Sequence, residues 1–234
     1  METEQQKLYA AQKVLDFIQD GMRLGIGTGS TANIFIELLA NKVQEGLKIK
    51  AVPTSIRSDE LCKQLGIKTY TLEEMPQLDL TIDGADEITP NLSLIKGGGG
   101  ALLREKIVAT ASHSMIVIAD ESKLVEHLGA FPLPIEINSF GMVTTEHMIK
   151  KMFEKLGLES SLSLRKDQKG HIYETDGGHY IIDAQLTAIN KQEEENLSRE
   201  LLSIPGVVEH GLFLGIAQTA IIGMQNGEIK IISR

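Results

Sequence analysis

The sequence is poor in the residues that mark several common protein classes. It has one cysteine in 234 residues, Cys62. A single cysteine permits no intrachain disulfide, which points to a reducing, intracellular setting. Positive charge is in deficit: 23 Lys and Arg stand against 32 Asp and Glu, a formal net charge of −9. The basic footprint of a non-specific nucleic-acid binder is missing. A phosphate on a small molecule is not excluded, because a few local cations and backbone N–H groups suffice to hold one. No apolar run reaches the length that spans a bilayer. Met1 to Lys7 is polar and mixed in charge, unlike a secretory signal. Together these absences imply a cytoplasmic protein that binds neither membrane nor nucleic acid. The histidines (His113, His127, His147, His171, His179, His210) are scattered and suggest neither a metal set nor a partner for a serine nucleophile. Repeats and low-complexity tracts are absent.

What is present is an alternation of strands and helices. Leu8, Ala11, Val14, Leu15 and Ile18 have helical spacing over 4–19. Strands are expected at 22–26, 49–52, 67–70, 78–82 and 115–119, with helices at 31–45, 57–65 and 100–112 between them. Ser30 or Thr31 is expected to cap the second helix. Such alternation implies an α/β fold, a mostly parallel sheet with helices on both faces. The pattern changes at Phe131-Pro132-Leu133-Pro134. From there the order is βαββαβ, its last strand expected at 207–213, the order of a smaller α+β, ferredoxin-like domain. Two apolar runs around Asn226-Gly227 predict a closing hairpin that returns to the first sheet. The expected division is 1–130 with 208–234 as one domain and 131–207 as the other.

Four polar clusters follow strand-like runs: Gly27 to Thr31, Thr54-Ser55, Asp83 to Glu87, and Asp120 to Lys123. In open α/β sheets ligands bind at the carboxyl ends of strands. The first cluster, Gly-x-Gly-x-Gly-Ser-Thr, has neither a dinucleotide fingerprint nor a P-loop lysine. It suits a small phosphate, held by the N–H groups of a helix N-terminus and the hydroxyls of Thr28, Ser30 and Thr31, or else a tight packing turn. Asp83, Asp86 and Glu87 fit a magnesium site, a catalytic acid–base pair or helix capping. Lys96 precedes Gly97, Gly98, Gly99 and Gly100, a run whose conformational cost calls for close approach of a ligand or of packing partners. Its N–H groups suit a developing oxyanion. Lys96 itself suits that anion or a solvated surface. Glu105 has the apolar helical neighbours Ala101, Leu102, Val108 and Ala109, yet Arg104 and Lys106 also have mostly apolar neighbours. Helical spacing therefore leaves Glu105 as either a buried base or a salt-bridged surface residue.

These motifs resemble ribose-5-phosphate isomerase, type A, nearly end to end. The resemblance rests on Gly-Ile-Gly-Thr-Gly-Ser-Thr-Ala (25–32), Asp-Gly-Ala-Asp-Glu-Ile (83–88), Lys-Gly-Gly-Gly-Gly-Ala-Leu-Leu-Arg-Glu-Lys (96–106), Ile-Ala-Asp-Glu-Ser-Lys (118–123), Phe-Pro-Leu-Pro (131–134) and Pro-Gly-Val-Val-Glu-His-Gly-Leu-Phe (205–213). It implies a Rossmann-like catalytic domain, no cofactor and no essential metal, and assembly as a homodimer or dimer of dimers. It also implies interconversion of ribose 5-phosphate and ribulose 5-phosphate, in the pentose phosphate pathway. Carried over by motif, Glu105 is the base, and Asp83, Asp86 and Lys96 serve ring opening and the enediolate, with Asp83 the preferred aspartate. Thr28, Gly29, Ser30, Thr31, Gly84, Ala85, Gly97, Gly98, Gly99 and Lys123 are substrate-binding positions, with Lys7 as a further phosphate contact. Gly100 is a position where some relatives are expected to carry alanine. Two other classes compete: a sugar-phosphate-sensing regulatory domain and a CoA-transferase-like enzyme.

Overall fold

The computed structural model describes all 234 residues. The elements in chain order are α1 (Thr3–Val14), β1 (Arg23–Ile26), α2 (Ser30–Gln44), β2 (Lys50–Pro53), α3 (Ile56–Gln64), β3 (Leu78–Asp83), β4 (Glu87–Ile88), β5 (Leu94–Ile95), α4 (Leu102–Thr110), β6 (Ser112–Asp120), β7 (Leu133–Ile137), α5 (Met142–Lys155), β8 (Ser160–Leu164), β9 (Tyr180–Leu186), α6 (Lys191–Leu202), β10 (Val207–His210), β11 (Leu212–Phe213), β12 (Thr219–Gly223) and β13 (Ile229–Ser233). No helix is long and apolar enough to cross a membrane.

The main sheet runs β13-β12-β6-β3-β1-β2. All its neighbours pair in parallel except β12 and β13, the closing hairpin. Strand β6 explains why both faces are covered. Ile116 and Ile118 project into a core with α1, α2 and α3, while Met115, Val117 and Ala119 project into a second core with α4 and Phe213. That is the period of two expected of a strand buried on both sides. On α2, Phe35, Ile36, Leu39 and Ala40 form the stripe that meets the sheet.

The chain leaves β1 for β2 at one edge, then returns to place β3 on the other side of β1. The strand order reverses between β1 and β3. A crevice opens at such a switch point, outside the carboxyl ends of the strands.

The region from 133 to 210 forms a four-stranded antiparallel sheet in the order β10-β7-β9-β8. Leu133, Ile135 and Ile137 of β7 pack there with Ile149 and Phe153 of α5 and Leu197 and Leu201 of α6. The element order is the βαββαβ expected.

Three local expectations fail. Residues 67–70 form no strand, only a single bridge from Thr69 to Ala51. The stretch 207–213 is two strands in different sheets, broken at Gly211. Its second part, β11, joins β4 and β5 in a three-stranded sheet that the sequence does not announce. Finally, Gly29 rather than Ser30 or Thr31 stands at the N-cap of α2, and no side chain caps that helix.

Candidate active site

The loops after β1 and β3 flank the switch point and are tied together across it. The Thr28 amide donates to Asp83 Oδ1 at 3.0 Å. The Gly84 amide donates to the same oxygen at 2.7 Å. This approach requires glycine at 27, because a Cβ there would overlap the Asp83 carboxylate. Thr28 Oγ1 turns inward and meets Thr54 Oγ1 (2.8 Å), Ser55 Oγ (2.8 Å) and Ser58 Oγ (3.0 Å). Three partners saturate a hydroxyl. The Thr28 side chain therefore fixes the loop, and Ser30 and Thr31 are left as the hydroxyls for a ligand at the start of α2.

Lys96 follows β5 and enters the same region from the other side. Its ammonium donates to the Gly84 carbonyl at 2.6 Å. It lies 3.0 Å from Asp83 Oδ2 and 3.3 Å from Glu105 Oε1. Residue exposures of 0% for Asp83, 2% for Lys96 and 3% for Glu105 mean that water screens little of this triangle. Burial pushes the Glu105 carboxyl up to about 8; the Lys96 ammonium opposes that rise, and the Asp83 and Asp86 charges add to it. Burial also raises Asp83, against Lys96 and its two amide donors. For Lys96, burial acts to lower the pKa, but Asp83 and Glu105 outweigh it and hold the ammonium above its ordinary range. Two ionised carboxylates around one ammonium leave a net negative charge in a dry site. Asp83 accepts two backbone N–H bonds and Glu105 none, so Glu105 is the carboxylate that takes up a proton. Glu105 Oε2 is buried and has no hydrogen-bond partner.

A small cleft of about 100 Å³ adjoins the triangle. Its walls are Thr28–Thr31, Gly84–Asp86, Lys96–Gly99, Glu105 and Lys123. Asp86 sits at this wall, with Oδ2 accepting from the Gly98 amide at 2.8 Å. Lys123 closes the short turn after β6, which Asp120 caps by accepting from the Ser122 amide. A cavity of about 600 Å³ lies nearby, bordered by Ile56, Tyr70, Leu72 and Ile107. It is larger, but its cations are paired, Lys63 with Asp59 (2.6 Å) and Arg104 with Asp176 (3.6 Å), and its remaining carboxylates, Glu73 and Glu74, are exposed. The small cleft is the one with an unspent carboxylate oxygen.

The residues expected at the site converge on this cleft, with two exceptions. Asp83 is seated behind the amides of Thr28 and Gly84 and does not line it. Of the two aspartates, Asp86 is the one that lines the cleft, in contrast to the expected preference for Asp83. Lys7 also stands outside the lining, with its ammonium on Glu4 at 2.7 Å. The magnesium alternative fails on direction: Glu87 turns both oxygens to the amides of Gly129 (2.7 Å) and Phe131 (2.6 Å). Asp83, Asp86 and Glu87 thus form no common ligand set. Gly100 has φ +81° and faces Tyr173 so closely that a Cβ would collide with its ring. Alanine there would require Tyr173 to move.

Sequence reasoning missed Arg57, Arg165 and Tyr173, all of which reach the glycine run. Arg57 donates to the Gly99 carbonyl at 2.6 Å, and Tyr173 lies 3.4 Å from the same oxygen. They act on backbone carbonyls from distant elements, so no local pattern signals them.

The comparisons with known proteins agree with one another. The family model for ribose 5-phosphate isomerase A (phosphoriboisomerase A) matches residues 50–227. Ribose-5-phosphate isomerase A of Bartonella quintana (strain Toulouse) is 55% identical over 232 residues, covering 99% of this chain and 98% of the relative. A solved D-ribose-5-phosphate isomerase in complex with phospho-erythronic acid has a TM-score of 0.91 at 37% identity, covering all of both chains. The ribose 5-phosphate isomerase of Plasmodium falciparum has a TM-score of 0.90 at 38% identity, covering 97% of each. The chain belongs to the ribose 5-phosphate isomerase A family.

Proposed function

We propose that this protein interconverts D-ribose 5-phosphate and D-ribulose 5-phosphate through a cis-enediolate. One observation carries the reading: the buried, unpartnered Oε2 of Glu105, whose carboxyl burial holds at about 8, beside a cleft with cations at Lys96 and Lys123. A general base works best with a pKa near the operating pH. Family membership supports the same chemistry.

The phosphate binds where α2 begins. The free N–H groups of its first turn and the helix dipole favour an anion, with Ser30, Thr31 and Lys123 beside it. A relative solved with phospho-erythronic acid, a phosphorylated sugar acid, supports a phosphate and an anionic head group bound in one site. Asp86, at the cleft wall, exchanges the proton of the sugar hydroxyl as the ring opens. Glu105 then takes the proton from the carbon next to the carbonyl and returns it to the neighbouring carbon. Lys96 balances the developing oxyanion, aided by N–H groups of the Gly97–Gly99 run. Asp83 holds Lys96 in place. One carboxylate moving a proton between adjacent carbons is the logic of triosephosphate isomerase on another fold.

The same reading takes 1–130 with 208–234 as the catalytic domain and 131–207 as the small domain, save that β10 carries the small sheet on to His210; the apolar cluster of that sheet supports the division, with Ile95, Leu128 and Leu212 joining it from the other side. A cytoplasmic setting and assembly as a homodimer or dimer of dimers complete it, supported by the single, unpaired Cys62 and by the family resemblance respectively. The test is direct: incubate the protein with ribose 5-phosphate in EDTA and follow the ketose. Ketose formation is expected, and its absence from correctly folded protein contradicts the reading. Neither a sensor domain nor a CoA transferase would form ketose.

A further inference from the structure

The four glycines after Lys96 have no conformational preference of their own, so something else must set their peptide planes. The Gly100 amide donates to the Gly97 carbonyl at 2.9 Å and closes a turn; Arg165, directly after β8, supplies much of the rest. Its Nη1 donates to the carbonyls of Gly97 (2.8 Å) and Gly98 (3.2 Å). Its other edge is locked on Asp183 of β9, Nε to Oδ2 at 2.8 Å and Nη2 to Oδ1. Arg57 takes the next carbonyl, that of Gly99. Three successive carbonyls thus face guanidinium groups.

A trans peptide is planar, so the N–H that follows each carbonyl points the opposite way. Across from the Gly97 carbonyl is the Gly98 N–H, which donates to Asp86 Oδ2 at 2.8 Å. Across from the Gly98 carbonyl is the Gly99 N–H. It has no acceptor within the protein, and Gly99 lines the cleft. By holding two carbonyls, Arg165 helps to set the donor that orients Asp86 and a second donor, on a residue of the cleft wall, that no protein group takes up. Arg165 itself does not line the cleft.

We propose that Arg165, anchored by Asp183, is a positioning residue for the isomerisation: it sets the Gly98 and Gly99 N–H groups from the small sheet and touches no substrate. The proposal rests on the isomerase reading above and deepens it. The small sheet then contributes to turnover as well as to stability.

The experiment compares wild type, Arg165→Met, Asp183→Asn, Asp86→Asn and the Arg165→Met/Asp86→Asn double variant, with amide-proton NMR of Gly98 and Gly99. Misplacing a catalytic group by about 1 Å costs on the order of 100-fold. Arg165→Met is expected to lower kcat by about 10- to 100-fold with KM changed less than about 3-fold. Added guanidinium should restore part of the loss. The double variant should be slower than Asp86→Asn by less than the full Arg165→Met factor, because part of that loss runs through Asp86 and only the rest through the Gly99 N–H. The Gly98 amide should lose its exchange protection. A kcat within about twofold of wild type, or a loss confined to KM, overturns the proposal. So do fully multiplicative losses in the double variant. Should Arg165→Met not fold, Asp183→Asn keeps the arginine and frees only its anchor; a smaller fall in kcat is then expected, and an unchanged kcat overturns the proposal. An inactive wild type whose Gly98 amide still depends on Arg165 would instead reject the isomerase reading and leave the positioning geometry standing.

Discussion

Glu105 and Lys106 are neighbours on α4, and both side chains are largely buried in charged clusters, yet the clusters differ in kind. Lys106 points to the small-sheet side. Its ammonium meets Glu209 Oε1 and the His210 carbonyl, each at 2.7 Å, and lies 4.9 Å from the centroid of the Phe213 ring. His210 in turn spends both ring nitrogens, Nε2 on Ser198 Oγ (3.0 Å) and Nδ1 as acceptor from the Leu212 amide (3.2 Å). With Nδ1 accepting, Nε2 carries the proton, so this serine–histidine contact is not a nucleophile with its base. Every group there is satisfied. Around Glu105 the sum does not close: one ammonium serves two carboxylates, and one oxygen is left over beside a cleft. Burial is common to both clusters and so does not mark function. An unspent lone pair at a cleft does: Asp120 Oδ2 and Glu136 Oε2 are also buried without a partner, and Asp83 Oδ2 has only the Lys96 ammonium, but none of these residues lines the cleft that Glu105 lines.

The sharpest way to break this contrast is to neutralise Glu105. Glu105→Gln should lower kcat by about 10²–10⁴-fold, the usual worth of a general base. It should also stabilise the protein. A carboxyl whose folded pKa is raised to about 8 contributes stability below its unfolded value, and that contribution is lost as pH rises toward 8. The amide escapes this loss, so thermal unfolding at pH 8 should move up in the variant. Lower stability together with unchanged turnover would make Glu105 a structural residue like Lys106.

Next in size is Lys96→Met, expected to cost about 10²–10³-fold in kcat, as for the loss of an oxyanion donor. In wild type, kcat/KM should fall about tenfold per pH unit below about 8, because the base works only when ionised. Lys96 opposes the upward shift of Glu105, so its removal should move this acid limb to higher pH. A limb that stays in place would separate Lys96 from Glu105. Removing one partner of a buried ion pair also destabilises, by about 3–5 kcal/mol, so both profiles are to be read on folded protein.

These expectations depend on features that were unequally legible. The strand-end loops were legible because glycine, serine and aspartate interrupt apolar runs, and the parallel sheet follows from the strand–helix alternation; the strand order, and with it the switch point, does not. Glu105 was not singled out, because Arg104 and Lys106 share its apolar helical neighbours; only the tertiary meeting with Lys96 and Asp83 separates them. Two-residue strands such as β4, β5 and β11 are too short to leave a periodic trace; β4 and β5 pair locally, and β11 exists only through its distant pairing with β5. Arg165 was invisible for a related reason, since its partners are carbonyls 67 and 68 residues away.

Smaller effects are expected on the other side of α4. Burial, with Lys106 adding to it, holds His210 down to about 3. A histidine depressed in the folded state contributes stability above its unfolded pKa of about 6.5, and loses it as pH falls toward 3. His210→Asn should therefore flatten the acid limb of thermal stability between about pH 6.5 and 3. An equally steep limb would move that effect to other groups. Smallest of all is the expected change in turnover for Lys106→Met: kcat within about threefold of wild type, with the cost appearing in stability. A large fall in kcat would erase the distinction between the two clusters.

The central claim is that Glu105 carries the proton between the first two carbons of the sugar phosphate. Hydrogen exchange at those carbons in D₂O, followed by NMR for wild type and for folded Glu105→Gln, tests it most directly. The account predicts exchange by wild type and a loss of at least about 100-fold in the variant, with ribose 5-phosphate still bound. Exchange by Glu105→Gln at the wild-type rate would contradict it.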